Sequence, residues 1–278
     1  MKKKIIAGLL TMALATSMIA CGSTSETTVT EDDAAEVSSD ADSDSDVAYI
    51  QGKGTLTVGI TDFAPMDYKD ESGEWIGFDA DLARLVAESL GVDVEFVEID
   101  WDNKILELEN KSIDVVWNGM TLTSEVTNSM ECTNAYLNNA QVVVVNADVA
   151  NDYQTTDSLS DLSFAVESGS AGEEAVAELG LDYIAVKSQA DAVMEVSAGT
   201  SDACVIDLLM AGAMIGEGTS YPSLSHTVEL TAEEYGIGCR KGSDLAEYIN
   251  EQLRAYYEDE TMAEIGEKYG VQDAILAQ

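Results

Sequence analysis

Histidine, proline and basic residues are the scarce components of this 278-residue chain. It carries one histidine, two prolines, and 13 lysines and arginines against 53 aspartates and glutamates. A formal charge of −40 argues against nucleic acid as a partner, because a phosphate backbone is bound by a basic surface. It argues equally against docking on anionic lipid headgroups by charge alone. The four cysteines, Cys21, Cys132, Cys204 and Cys239, form no C-x-x-C pair. With one histidine beside them they supply too few ligands for a zinc or iron–sulfur site, so neither metal nor cofactor is expected. The lone His226 lies in the polar run SLSHTV; a solvated loop position is expected, with no catalytic triad around it. What remains is 46% apolar residues, enough for a substantial core in one large domain or two of ordinary size.

The N-terminus reads as an address. Residues 2–4 are lysines, followed by the apolar run IIAGLLTMALATSMIA and Cys21. A basic start and a run this short, rich in Ala, Ser and Thr, indicate a secretion signal over residues 1–20 rather than a permanent span. Met18-Ile19-Ala20-Cys21 resembles a bacterial lipobox, which implies cleavage before Cys21 and a diacylglycerol on its sulfur. Two acyl chains anchor a protein stably, so the expected location is the extracellular face of the cell membrane, with the lipid as the sole membrane contact. Residues 22–48 hold nine acidic residues and no basic, aromatic, Leu or Ile residue. Such a segment cannot bury enough apolar surface to offset its lost entropy, and like charges extend it. Residues 21–48 are therefore expected to form a lipidated, disordered tether.

Beyond it, strand and helix patterns alternate. LTVGI (56–60) reads as a strand, and Asp79 is expected to cap the helix ADLARLVAESL, which Gly91 ends. VDVEFVEI (92–99), the short helix ILELEN and the strand IDVVW (113–117) complete a β-α-β-α-β order, which implies a parallel sheet with right-handed crossovers. QVVVV (141–145) is a continuous apolar strand, and from LSFAVES (162–168) the order repeats with its own core. EEYGIGCRKG reads as a further strand before two amphipathic helices. Cys204 and Cys239 fall within apolar strands and read as small core residues. Two such α/β units imply two lobes with facing sheets, and ligands of open α/β sheets sit at the carboxyl ends of strands.

Several stretches are more specific. GTLTVGI, FAPM, ESGEWIGFDADLARLVAESLGVDVEF, IDWD and IDVVWNGMTLTSE, followed by GSAGEEA, AGTSDACVID and YGIGCRKGSDL, together resemble the amino-acid-type (family 3) extracellular solute-binding proteins of ABC importers. The resemblance covers residues 49–278 in order. It implies an α/β, two-lobed fold of the type II periplasmic-binding-protein class, with two strand crossings as hinge and a ligand cleft between lobes. Residues 49–145 would begin lobe 1, 146–233 form lobe 2, and 234–278 return to lobe 1. The implied partners are a small solute, an amino acid or cationic amine, and a permease–ATPase complex; a monomer is expected. A surface sensor without transport and, less favoured, a dehydratase on the same fold are the alternatives.

The resemblance also implies a site. Phe63 and Trp101 occupy the aromatic positions that sandwich a ligand side chain; Gly119 offers a carbonyl and Thr121 a hydroxyl. Ser170, Ala171 and Gly172 sit where a helix start presents N–H groups to a carboxylate. Asp207 holds the α-ammonium, and Asp62, Asn118 and Glu167 are expected to face the ligand. One departure is large. The family places an arginine after T-x-T-x-E to fork a carboxylate; here Val126 stands there, with Lys104 as a conceivable substitute. The cleft is thus expected to favour the ligand's amine over its carboxylate.

Overall fold

A computed structural model describes residues 45–278. The signal segment, Cys21 and the tether as far as residue 44 lie outside the described residues. The tether's expected end at residue 48 needs correction, because α1 (Asp46–Lys53) begins inside it. Ser45 caps this helix by accepting from Ala48 N–H at 3.0 Å, and the Asp46 and Val47 N–H groups donate to Asp244 Oδ1 at 2.9 and 3.1 Å. Asp46 pairs with Arg240 at 2.9 Å. Composition could not reveal this, since the partner charge lies 194 residues away.

The first lobe opens with β1 (Thr55–Ile60), the hairpin β2 (Tyr68–Lys69) and β3 (Trp75–Ile76), and α2 (Phe78–Leu90). It continues through β4 (Asp93–Glu98), α3 (Lys104–Glu109), β5 (Val115–Thr121), α4 (Ser124–Ser129) and β6 (Glu131–Cys132). After the long β7 (Leu137–Asn146) come β8 (Ser163–Glu167), α5 (Ala171–Glu178), β9 (Asp182–Val186), α6 (Gln189–Ala198), β10 (Ala203–Asp207) and α7 (Leu208–Met214). β11 (Leu224–Cys239), α8 (Leu245–Glu258) and α9 (Thr261–Tyr269) close the chain.

β1 pairs in parallel with β4 and β5, and β8 with β9 and β10, so both expected β-α-β units form. Instead of two separate facing sheets, the strands join in one order, β4-β1-β5-β11-β7-β10-β8-β9. The reason is β11. Its 16 residues pair antiparallel with β7 from Leu224 to Tyr235 and then with β5 from Tyr235 to Cys239. β7 and β11 are the two crossings between lobes. Over the first part of β11 only Leu224 and Val228 are buried and the rest are half-buried or exposed, which hid it among polar loop residues; exposed His226 lies on it rather than in a loop. Cys204 and Cys239 are buried, and the three described cysteines are unpaired. Cys132 faces Gly238 across the ladder, which turns the Cys132 and Cys239 side chains to opposite faces.

Asp79 does not cap α2. Gly77 holds the cap position at φ +138°, where a Cβ would lie 1.9 Å from the Met66 carbonyl oxygen. Asp79 is instead fully buried, accepting from Gly119 N–H at 2.7 Å and from the Tyr136 hydroxyl at 2.8 Å. Its carboxyl is pushed up to about 6 by burial. The effect is to fasten the end of β5, where the cleft begins.

Candidate functional site

The carboxyl ends of β5, β8 and β10 bring Gly119–Thr121, Glu167 and Asp207 to one cleft of about 300 Å³. That is the low end of the range for small-molecule sites, ~300–1,000 Å³, and suits a solute of amino-acid size. Phe63, Trp101, Asn118, Ser170 and Ala171 also line it, so most of the expected residues converge. Asp62 does not. It is exposed, because its neighbours Thr61 and Phe63 are the ones turned inward. Thr61 bonds Asn118, and Phe63 packs edge-on to Tyr235 at 6.3 Å between centroids.

Asp207 ends β10 in the second lobe and is 2% exposed. Its Oδ1 accepts from Asn139, from Gln141 Nε2 at 3.1 Å and from the Tyr235 hydroxyl at 2.5 Å; its Oδ2 accepts from Gln189. All four donors are neutral, and among the described residues no basic side chain pairs with this carboxylate. Burial, followed by the charge of nearby Glu233, holds its carboxyl well above the usual range. Glu233 shares the Asn139 and Gln141 donors at 2.6 and 2.8 Å.

The sequence gives little sign of these partners of Asp207. Gln141 was legible in part, as the one polar residue opening QVVVV, and it stands directly opposite Asp207 in the ladder. Gln189, Asn139 and Glu233 gave no such signal, since each reaches Asp207 from a different element.

Asn118 lines the cleft but has nothing left to give a ligand. Its Oδ1 accepts from Thr61 N–H and Oγ1 at 3.0 and 2.8 Å, and its Nδ2 donates to Thr61 O and Asp67 Oδ2 at 3.1 and 2.8 Å. That uses the amide's full capacity, so its expected ligand contact is replaced by a bracing one. Gly119 has φ +53°, and a Cβ there would stand 2.5 Å from the Phe63 ring. Only glycine lets that ring close over the strand end.

The α5 start is poorer in free donors than expected. Ser170 N–H is taken by Glu167 O at 3.2 Å and Gly169 N–H by Glu173 Oε2 at 2.6 Å, which leaves Ala171 and Gly172. Ser170 caps the helix by accepting from Glu173 N–H at 3.1 Å. Glu125, Glu173 and Glu174 also line the cleft, and their negative charge opposes an anion in it.

Val126 is 3% exposed and packs with Trp101, Met120 and Met130. Lys104 is the one cationic lining residue. Its Nζ donates to Trp101 O at 3.2 Å and, across the cleft, to Gly169 O at 2.8 Å. Burial lowers its pKa, and two of its three donors are spent on carbonyls, the one to Gly169 tying the lobes together. Lys187 and Glu98 add a second tie between lobes at 3.0 Å. Among the described residues no group of three His, Cys, Asp or Glu side chains is placed to hold a metal ion.

Comparison with known proteins agrees with this geometry. Residues 56–272 match the bacterial extracellular solute-binding proteins, family 3. The chain belongs to that family. An arginine-binding extracellular protein of Bacillus subtilis is 28% identical over 228 residues, spanning 78% of this chain and 87% of its own. A mutant arginine-binding protein of T. maritima superposes with a TM-score of 0.75 at 32% identity, covering 81% of this chain and 98% of its own. An ancestral amino acid-binding protein, described as a precursor of cyclohexadienyl dehydratase, reaches 0.74 at 31% identity, covering 80% and 98%. These are solute-binding proteins on the type II two-lobed fold, and the family is one of binding rather than catalysis. Among the described residues no helix is long and apolar enough to cross a membrane.

Proposed function

We propose that this chain is the lipid-anchored, substrate-capturing component of an ABC importer, and that it takes an amino acid or amino-acid-like amine into the cleft as its lobes close. The observation that carries the reading is Asp207, a buried carboxylate ringed by neutral donors and lining the cleft. A ligand ammonium supplies the counter-charge that the protein withholds. Phe63 and Trp101 supply the apolar walls, and Gly119 and Thr121 add polar contacts. The two free N–H groups of α5 are the best remaining seat for a carboxylate. A sealed carboxylate would meet no free cation there, so the amine is the dominant handle.

Calorimetry on a matched set tests this. An amino acid and its amide should differ in affinity by less than about tenfold, whereas N-acetylation should abolish binding. An absolute requirement for the free carboxylate would overturn the amine-first reading. For the anchor, Cys21→Ser should leave the protein unprocessed or shed to the medium, because serine forms no thioether; normal membrane retention would refute it. Loss of ligand uptake on deleting the gene would separate import from sensing. A dehydratase would need cationic clamps for its acid substrate, and Lys104, already committed to two carbonyls, is a poor one.

A further inference from the structure

Glu167 is the cleft residue that neither the fold nor the ammonium site uses. It ends β8, is 2% exposed, and lines the cleft with its Oε1 buried and without a hydrogen-bond partner. Thr61 and Lys104 of the first lobe stand beside it, with Gln189 and Asp191 from α6. Lys104 is nearby in charge, but its Nζ is directed at the Trp101 and Gly169 carbonyls. Burial pushes the Glu167 carboxyl up to about 8. Such a group is dry when the lobes meet, and it is satisfied only by a proton or a cation.

Charge balance points the same way. The buried ionisable side chains of the cleft are Asp207, Glu167 and Lys104. With both acids ionised these three carry one net negative charge, and Glu125, Glu173 and Glu174 at the cleft add further negative field. A zwitterion brings no net charge. A solute with two cationic nitrogens does. Position agrees as well, because Gln189 bonds Asp207 through both ends of its amide and also stands beside Glu167. The two carboxyl groups therefore stand on either side of a single amide.

We propose that Glu167 pairs with a second cationic nitrogen of the solute, so that the cleft selects doubly cationic amines, either basic amino acids or diamines. This rests on the reading of Asp207 as the first ammonium site. Glu167 comes from the second lobe and is covered by first-lobe residues, so the selection acts on closure. A solute lacking the second nitrogen can reach Asp207 but leaves Glu167 dry and unpaired as the lobes meet.

The test is calorimetry on the full chain with lysine against norleucine and 1,4-diaminobutane against 1-aminobutane, pairs that differ by one amine. Each doubly cationic member should bind at least about 30-fold tighter than its partner, as removal of one member of a buried charge pair implies. Glu167→Gln should reduce that ratio below about threefold, by weakening the doubly cationic ligands alone, whereas Asp207→Asn should weaken all four. Equal affinity for lysine and norleucine in the unmodified protein overturns the proposal without any variant. So does a ratio that survives Glu167→Gln, which would mean that Glu167 simply holds a proton. In both cases an Asp207→Asn effect would leave the amine-first reading standing. If none of the four binds, both readings fall.

Discussion

Replacing Asp207 with asparagine separates its two roles, because the surrounding bonds let each be weighed. The substituted amide oxygen can still accept from Asn139, Gln141 and Tyr235, as Oδ1 does now. Its NH₂ would then face Gln189 Nε2, setting donor against donor. Gln189 cannot turn its amide to relieve this without releasing its Oε1 from the N–H of residue 207, a bond of 2.9 Å. One mismatched contact is left, at about 1–2 kcal/mol, or a few degrees of melting temperature in a domain of this size. Since burial already keeps the Asp207 carboxyl well above the usual range, the empty cleft loses little charge in the exchange. The ligand loses much more. Its ammonium would be sealed in without a counter-charge, a penalty of roughly 3–5 kcal/mol, or about two to three and a half orders of magnitude in Kd. Calorimetry with lysine, alongside ligand-free melting, reads both terms. Binding within about threefold of the unmodified protein would refute the placement of the ammonium.

Other outcomes follow from the same contacts. Val126→Arg should shift preference toward free α-amino acids over their amides by supplying a fork; because Val126 packs among Trp101, Met120 and Met130, it should also lower the melting temperature by several degrees, and an unchanged preference would show that the cleft cannot orient the new side chain. Glu167 has a folded pKa of about 8 against an ordinary 4.5, so its contribution to stability is present in full below the lower value and is lost as pH rises through the higher. Ligand-free melting temperature should accordingly fall across that range, and Glu167→Gln should flatten the fall; an identical pH profile in the variant would contradict the burial argument. Arg240→Met should destabilise the fold by about 1–3 kcal/mol, because Asp46 loses its close partner and the fully buried Asp114 keeps only Lys53; an unchanged melting temperature would refute this. Deleting residues 24–43 should leave the melting temperature unchanged, whereas deleting 24–49 should lower it by removing the α1 clasp; equal effects from the two deletions would show that α1 is not held as described.

How far the sequence reaches can be followed residue by residue. The β-α-β order, the apolar strands that bury Cys204 and Cys239, and the place of Asp207 at a strand end were all legible, because each depends on neighbours within a few positions and on the periods of strand and helix. Local pattern erred where the partner is distant. Residues 46–48 look like solvated tether until Arg240 and Asp244 return to meet them. Asp79 looks like a helix cap until Gly119 and Tyr136 claim it from other strands. β11 looks like half a strand because its first half has only β7 beside it and stays largely open to solvent. Resemblance placed the cleft's lining but could not say which side chains have bonding capacity left. That is a matter of three-dimensional saturation. Asn118 is spent on Thr61 and Asp67, Lys104 on two carbonyls, and Ser170 N–H on Glu167 O, whereas Asp207 and Glu167 form no ion pair among the described residues. Residue type and order along the chain thus determined the fold and the cleft, since short-range periodicity and apolar burial act locally. Tertiary structure decided which polar groups in that cleft are already satisfied, because hydrogen bonds and desolvation depend on what strands far apart in sequence bring within three ångströms of one another.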